Sequence, residues 1–137
     1  MHHIKTGILA REIMDKNFPI VDDSLPLIAC VKKMSKKHEA CLIIRQGNFS
    51  GILGYNDILR GFMYGKDKDA KIGKITIRKN FAIVKPESDV YSTLLLMKKD
   101  KIDFVLVKKG KNFLGLITKK EIADVEPILF ENITNRL

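Results

Sequence analysis

No apolar run in the 137 residues approaches the roughly 18 to 20 that a membrane span requires, and the start, MHHIKTGILA, lacks the apolar core of a signal peptide. These absences predict a cytoplasmic protein without membrane association. Cysteine is scarce: Cys30 and Cys41 sit inside apolar stretches and match no metal-ligand spacing, so both are expected as buried, reduced thiols. No block of five or more like charges marks a nucleic-acid arm. Motifs for chemistry are missing too. Gly47, Gly51 and Gly54 lack the spacing of a dinucleotide fingerprint, and no GK pair completes a phosphate loop. No Ser, His and acid set announces catalysis, so a non-enzyme is expected.

What the chain does have is positive charge and a repeat. Lys and Arg number 25 against 16 Asp and Glu, a formal net charge of +9, which favours anionic partners without choosing among nucleotides, nucleic acid and acidic protein surfaces. A solvated Lys-rich surface explains the charge equally simply. KNFPIV, beginning at Lys16, returns as KNFAIV at Lys79, an offset of 63 residues. At that offset Leu27, Val31 and Met34 fall on Val90, Leu94 and Met97, each triplet spaced as one helix face. ACLII meets DFVLV and Gly47 meets Gly110. Beyond that turn the offset is 64, as Gly51 meets Gly115, which places one inserted residue in the hairpin.

Each repeat therefore reads strand, helix, strand, turn, strand, helix: 18–21, 24–37, 41–45, 49–53 and 56–63, then 81–84, 88–100, 104–108, 113–117 and 119–125. Ser24 and Ser88 are the expected N-caps, and RQGN and KKGKN supply hairpin glycines. The expected divisions are 1–66 (first repeat with its N-terminal segment), 67–73 (linker), 74–126 (second repeat) and 127–137 (tail). The fold class is α/β (α+β). A unit of about 55 residues buries too little surface to stand alone. The two β-α-β-β-α units are expected to pack face to face with pseudo-twofold symmetry, forming two related clefts.

REIM, Met34, CLII and GILGYNDIL in the first repeat, with KITI, Met97, FVLV and GLITKKEI in the second, resemble a tandem pair of cystathionine-β-synthase (CBS) domains, a Bateman module. The resemblance runs from about Leu9 to Glu126. It implies a stand-alone regulatory module that binds an adenosine-containing ligand (AMP, ADP, ATP or S-adenosylmethionine) between the repeats and needs no other cofactor. It also implies a homodimer, a dimer of CBS pairs, signalling to an unidentified regulated protein. Carried over by residue, pocket A comprises Met14, Asp15, Pro19, His38, Glu39 and Ala40 with Thr118, Lys120 and Glu121. Pocket B comprises Ile77, Arg78, Ala82, Lys101, Ile102 and Asp103 with Gly54, Asn56 and Asp57. Glu121 stands where the family has Asp, and Gly54 where it has a hydroxyl, so unequal pockets are expected. Lys119 and Lys120 in a first helical turn make pocket A the first choice for a phosphorylated nucleotide.

Plainer readings stand beside these. Thr118 with Glu121 is also a capping box, and Asp57 also complements a helix dipole. His38 is as readily a solvated histidine, and His2 and His3 a plain terminus. The recurring Lys and Asn before each first strand have a turn-forming explanation. Two other functions remain open: a scaffold with empty clefts, and, ranking lower, a nucleic-acid binder. The apolar residues Ile128, Leu129, Phe130, Ile133 and Leu137 of the tail are candidates for docking on a second subunit or partner.

Overall fold

The computed structural model describes residues 5–34, 38–63, 69–74 and 81–134; the side chains of Lys74, Glu126 and residues 128–134 are outside that description. The chain forms two compact units: Phe18–Lys79, and Met1–Asn17 together with Asn80–Leu137. They are called here the first-repeat unit and the second-repeat unit.

In the first-repeat unit, β1 (Ile20–Asp22) crosses through α2 (Leu27–Met34) to the parallel β2 (Ala40–Arg45), which turns back into the antiparallel β3 (Asn48–Gly54). The strand order is β1-β2-β3, and α3 (Tyr55–Met63) follows at once. Leu27, Cys30 and Met34 form the buried stripe of α2 and meet Val21, Cys41, Ile43, Leu53 and Ile58, with Val31 packed alongside. Both cysteines are fully buried free thiols. Cys41 hydrogen-bonds with Cys30, and that bond and burial together push its thiol far above the ordinary cysteine range.

The second-repeat unit repeats this plan. Here β4 (Phe81–Val84), α4 (Val90–Lys99), β5 (Phe104–Lys109), β6 (Asn112–Ile117) and α5 (Lys119–Thr134) give strand order β4-β5-β6. Leu94 and Met97 of α4 pack on Val105, Val107, Ile117 and Ile122. α5 runs well past the expected end at 125 and carries Pro127 within it, so the proline forfeits a backbone donor without ending the helix.

Each unit is completed by the lead-in of the other repeat. In the second-repeat unit, Leu9 bridges Asp89, the Val90 amide donates to the Ile8 carbonyl at 2.8 Å, and that of Ala10 to the Ser88 carbonyl at 2.8 Å. The short α1 (Ala10–Ile13) follows, with Ala10 in the core. In the first-repeat unit, Pro26 bridges Lys71, the Leu27 amide donates to the Ala70 carbonyl at 2.8 Å and the Ile72 amide to the Leu25 carbonyl at 2.9 Å. Ile72 is buried in that core.

Strand register relocates the inserted residue. Arg45 pairs with Asn48 and Lys109 with Asn112, so both hairpin loops have two residues. Ile43 opposite Gly51 matches Val107 opposite Gly115, and both ladders bulge just beyond those pairs. The extra residue therefore lies upstream, in the connection from Met97 to Phe104 as against Met34 to Ala40, where Lys101 takes a left-handed φ of 54°. The glycine changed place because the turn changed type. Gln46 and Gly47, with φ of 52° and 79°, are both left-handed, as a type I′ loop requires, whereas Gly110 (φ 60°) occupies the first loop position, where type II′ wants glycine.

Both expected caps also move. Ser24 donates its amide and hydroxyl to Asp22 at 2.9 and 2.7 Å, and α2 starts only after Pro26, whose ring disfavours helix in the residue before it. The cap of α4 is Asp89, which accepts from the Tyr91 amide at 2.9 Å; Ser88 is one position too early.

Candidate functional site

The last strand of each repeat runs straight into a helix, and the candidate residues gather at that turn. In the second-repeat unit β6 ends at Ile117, and the buried Thr118 donates both its amide and its hydroxyl to Glu121 Oε1, each at 2.8 Å. The Lys120 amide donates back to Thr118 Oγ1 at 3.2 Å, and the Ile122 amide to the Thr118 carbonyl at 3.2 Å. Thr118 thus caps the helix, with its hydroxyl oxygen accepting from the Lys120 amide, and the cap engages helix-end donors that an anion would otherwise use. Lys119 and Lys120 are exposed.

The lead-in lies along the same turn. Asp15 and Leu116 exchange backbone hydrogen bonds of 2.8 and 3.0 Å, and Met14 packs over Gly115, where an added Cβ would stand 2.7 Å from Met14 Cβ. Burial pushes the Glu121 carboxyl above its ordinary range, the Thr118 hydrogen bonds pull it back, and the charge of Asp15 raises it further; the net shift is upward. Two carboxylates thus face one turn. Among the described residues no salt bridge reaches Glu121.

In the first-repeat unit the turn has the same frame and a different end. The Gly54 amide donates to Asp57 Oδ2 at 2.8 Å, as that of Thr118 does to Glu121. The other oxygen, Oδ1, is held by Arg60 Nη2 at 2.8 Å, in an ion pair whose carboxylate side chain is 6% exposed and whose guanidinium side chain is 44% exposed. Ala40 pairs with Gly54, the Tyr55 amide donates to the Glu39 carbonyl at 3.2 Å, and that of Leu42 to the Pro19 carbonyl at 2.9 Å. The His38 amide donates to the Met34 carbonyl at 3.1 Å. Pro19, His38, Glu39, Ala40, Gly54 and Asp57 thereby share one end of this sheet, with Asn56 exposed beside them.

Each unit holds part of each expected pocket. Met14, Asp15, Thr118, Lys120 and Glu121 of pocket A share the second-repeat unit with Ala82, Lys101, Ile102 and Asp103 of pocket B. There Ala82 pairs with Val105, and Ile102 packs against the core. Pro19, His38, Glu39 and Ala40 belong to the first-repeat unit, with Gly54, Asn56 and Asp57. Ile77 and Arg78 lie outside the described residues, as do His2, His3 and the tail's apolar side chains. Arg60 escaped the sequence reading, although its i, i+3 spacing from Asp57 was a readable signal. Asp89 escaped too, because its partners Thr6 and Gly7 lie more than eighty residues away.

Two other concavities occupy the hairpin ends: one of about 600 Å³ against Asp22, Asp23 and Arg45, the other of about 410 Å³ against Lys85, Lys108 and Lys109. No candidate pocket residue lines either. Among the described residues no cluster of three His, Cys, Asp or Glu is arranged for a metal, and no helix is long and apolar enough to cross a membrane.

The family model for the CBS domain matches residues 10–64 and again 72–127. Among solved structures, an uncharacterized conserved protein from Pyrococcus horikoshii aligns over 90% of this chain and 95% of its own, with TM-score 0.77 and 17% identity. A CBS domain protein from Pyrobaculum aerophilum complexed with AMP aligns over 93% and 99%, with TM-score 0.75 and 16% identity. At such identities the likeness speaks to fold alone. The hexameric CBS-CP12 protein from bloom-forming cyanobacteria aligns over 85% of this chain and 66% of its own, with TM-score 0.73 and 25% identity. Among curated proteins, none matches.

Proposed function

Because the chain belongs to the CBS domain family and carries two copies of that domain, we propose that it is a regulatory module that binds an adenosine-containing ligand and passes its occupancy to a separate protein. The observation that carries this reading is the Thr118–Glu121 turn. A half-buried carboxylate, held in place by a buried threonine and unpaired with any described basic group, is suited to accept hydrogen bonds from a ribose diol. Asp15, beside it, adds a second acceptor on the same lead-in that covers β6. The AMP bound by the Pyrobaculum aerophilum protein supports the ligand class.

The residues assigned to ligand contact are Met14, Asp15, Thr118, Lys120 and Glu121 in one unit, and Pro19, His38, Glu39, Ala40 and Asp57 in the other. Sensing is thermodynamic: the ligand favours whichever arrangement of the chain binds it more tightly, by the difference in affinity. The module works as a homodimer and has no catalytic step of its own; size-exclusion chromatography with light scattering checks the first claim.

A thermal-shift panel of AMP, ADP, ATP and S-adenosylmethionine tests the ligand class. A true ligand at about 100 times its dissociation constant should stabilise the fold by roughly 2.7 kcal/mol. A folded protein that responds to none of the four overturns the proposal.

A further inference from the structure

The two turns share the bond that opens them and part company one helical turn later. In each, the amide that opens the turn donates to one carboxylate oxygen at 2.8 Å, Gly54 on Asp57 and Thr118 on Glu121, which makes the other oxygen the more open acceptor of that turn. One helical turn further on, where an i, i+3 partner can reach that oxygen, the first repeat has Arg60 and the second, at the 64-residue offset set by strand register, has Asp124. Arg60 holds Asp57 Oδ1 at 2.8 Å; Asp124 can only repel Glu121.

The geometry points to Arg60 as a built-in competitor that closes the Asp57 turn to an incoming hydroxyl, so that the chain takes its first ligand at Glu121 and a second only after Arg60 is displaced. This rests on the reading that these two acids are the ligand acceptors. A ligand arriving at Glu121 breaks no ion pair among the described residues. A ligand arriving at Asp57 must pull a guanidinium from a nearly buried carboxylate before it gains a hydrogen bond in return. Because the guanidinium itself is partly in water, the handicap is moderate, about three- to thirtyfold in affinity.

Calorimetric titration of the full chain with AMP provides the test. The wild type should take one AMP per chain tightly, with affinity reduced by Glu121→Gln. Arg60→Gln should reveal a second site or tighten a weak one by the factor above. The reciprocal change, Asp124→Arg, installs a partner one turn beyond Glu121 and should weaken the first site by a similar factor. It keeps the proposal testable should Arg60→Gln impair folding. Two equal sites in the wild type overturn the proposal. So does a single site indifferent to both Arg60→Gln and Asp124→Arg, which leaves the reading of Glu121 as acceptor intact. No AMP binding by the folded wild type or any variant overturns that reading, and this inference with it.

Discussion

The two halves of this protein share a backbone plan and differ in what their carboxylates do. Near the end of β3, Asp57 is consumed by its own unit: one oxygen on the Gly54 amide, the other on Arg60. Near the end of β6, Glu121 is anchored through one oxygen to Thr118 and feels the charge of Asp15, with no salt bridge to it among the described residues. A second contrast lies where the lead-ins dock. In the second-repeat unit Asp89 collects the Thr6 amide and hydroxyl, the Gly7 amide and the Tyr91 amide at 2.9 to 3.1 Å. The matching position in the first-repeat unit is Pro26, which has no side chain to do so and holds its lead-in by backbone bonds and the buried Ile72. One plan can thus place a carboxylate as a brace, an ion-pair partner or an open acceptor, according to the one or two residues around it.

The brace offers the largest test of that contrast. Asp89→Ala removes a helix cap and strands the donors of Thr6 and Gly7, so the second-repeat unit should lose about 2 to 4 kcal/mol. Urea titration measures the loss, and amide exchange should rise first at Thr6, Gly7 and Ala10. Pro26→Ala, at the position with no brace, should cost less than about 1 kcal/mol, since it removes no cap or acceptor side chain. Equal costs would abolish the distinction between the two lead-ins. Burial pushes the Asp89 carboxyl up, but its four donors outweigh that and the net shift is downward. Its contribution is therefore present above the ordinary value of 3.8 and is lost as pH falls through the lowered folded value.

Gly115→Ala should come next. The new methyl would lie within 2.7 Å of Met14 Cβ, an atom fixed to the lead-in backbone, so Met14 cannot escape by rotating its thioether. Overpacking of this kind costs about 1 to 3 kcal/mol. Loss of the Asp15–Leu116 bridge, read from amide exchange at those two residues, would locate the damage, and unchanged protection there would refute the packing argument.

The smallest effect is one of slope. Glu121 is raised by burial and by Asp15, so it holds its proton more firmly folded than unfolded. Its contribution is fully present below the ordinary value of 4.5 and is lost as pH rises through the folded value. Compared with Glu121→Gln, the wild type should lose stability across that window, and parallel pH curves would show that the fold does not raise the Glu121 carboxyl.

Much of this could be read from local pattern. The i, i+4, i+7 triplets located α2 and α4 because one buried helix face leaves that spacing in any sequence. Hairpin glycines located both turns, since a left-handed φ is cheap only for glycine. The same glycines misled the alignment by one residue, because I′ and II′ loops place glycine differently and only ladder register distinguishes a moved glycine from an inserted residue. Thr118 and Glu121 were legible as a pair three apart. The competing role of Arg60 was not, because a helix spacing permits an ion pair without saying whether the carboxylate has another claimant.

The sequence by itself determined the tandem repeat, the order of strands and helices within each copy and the two acids that end the sheets, all of which follow from short-range spacing and residue type. Tertiary structure decided which lead-in completes which unit, where the extra residue sits and which acid keeps an oxygen free of a basic partner among the described residues. These depend on pairings such as Thr6 with Asp89, 83 residues apart, whose partners only chain folding brings together.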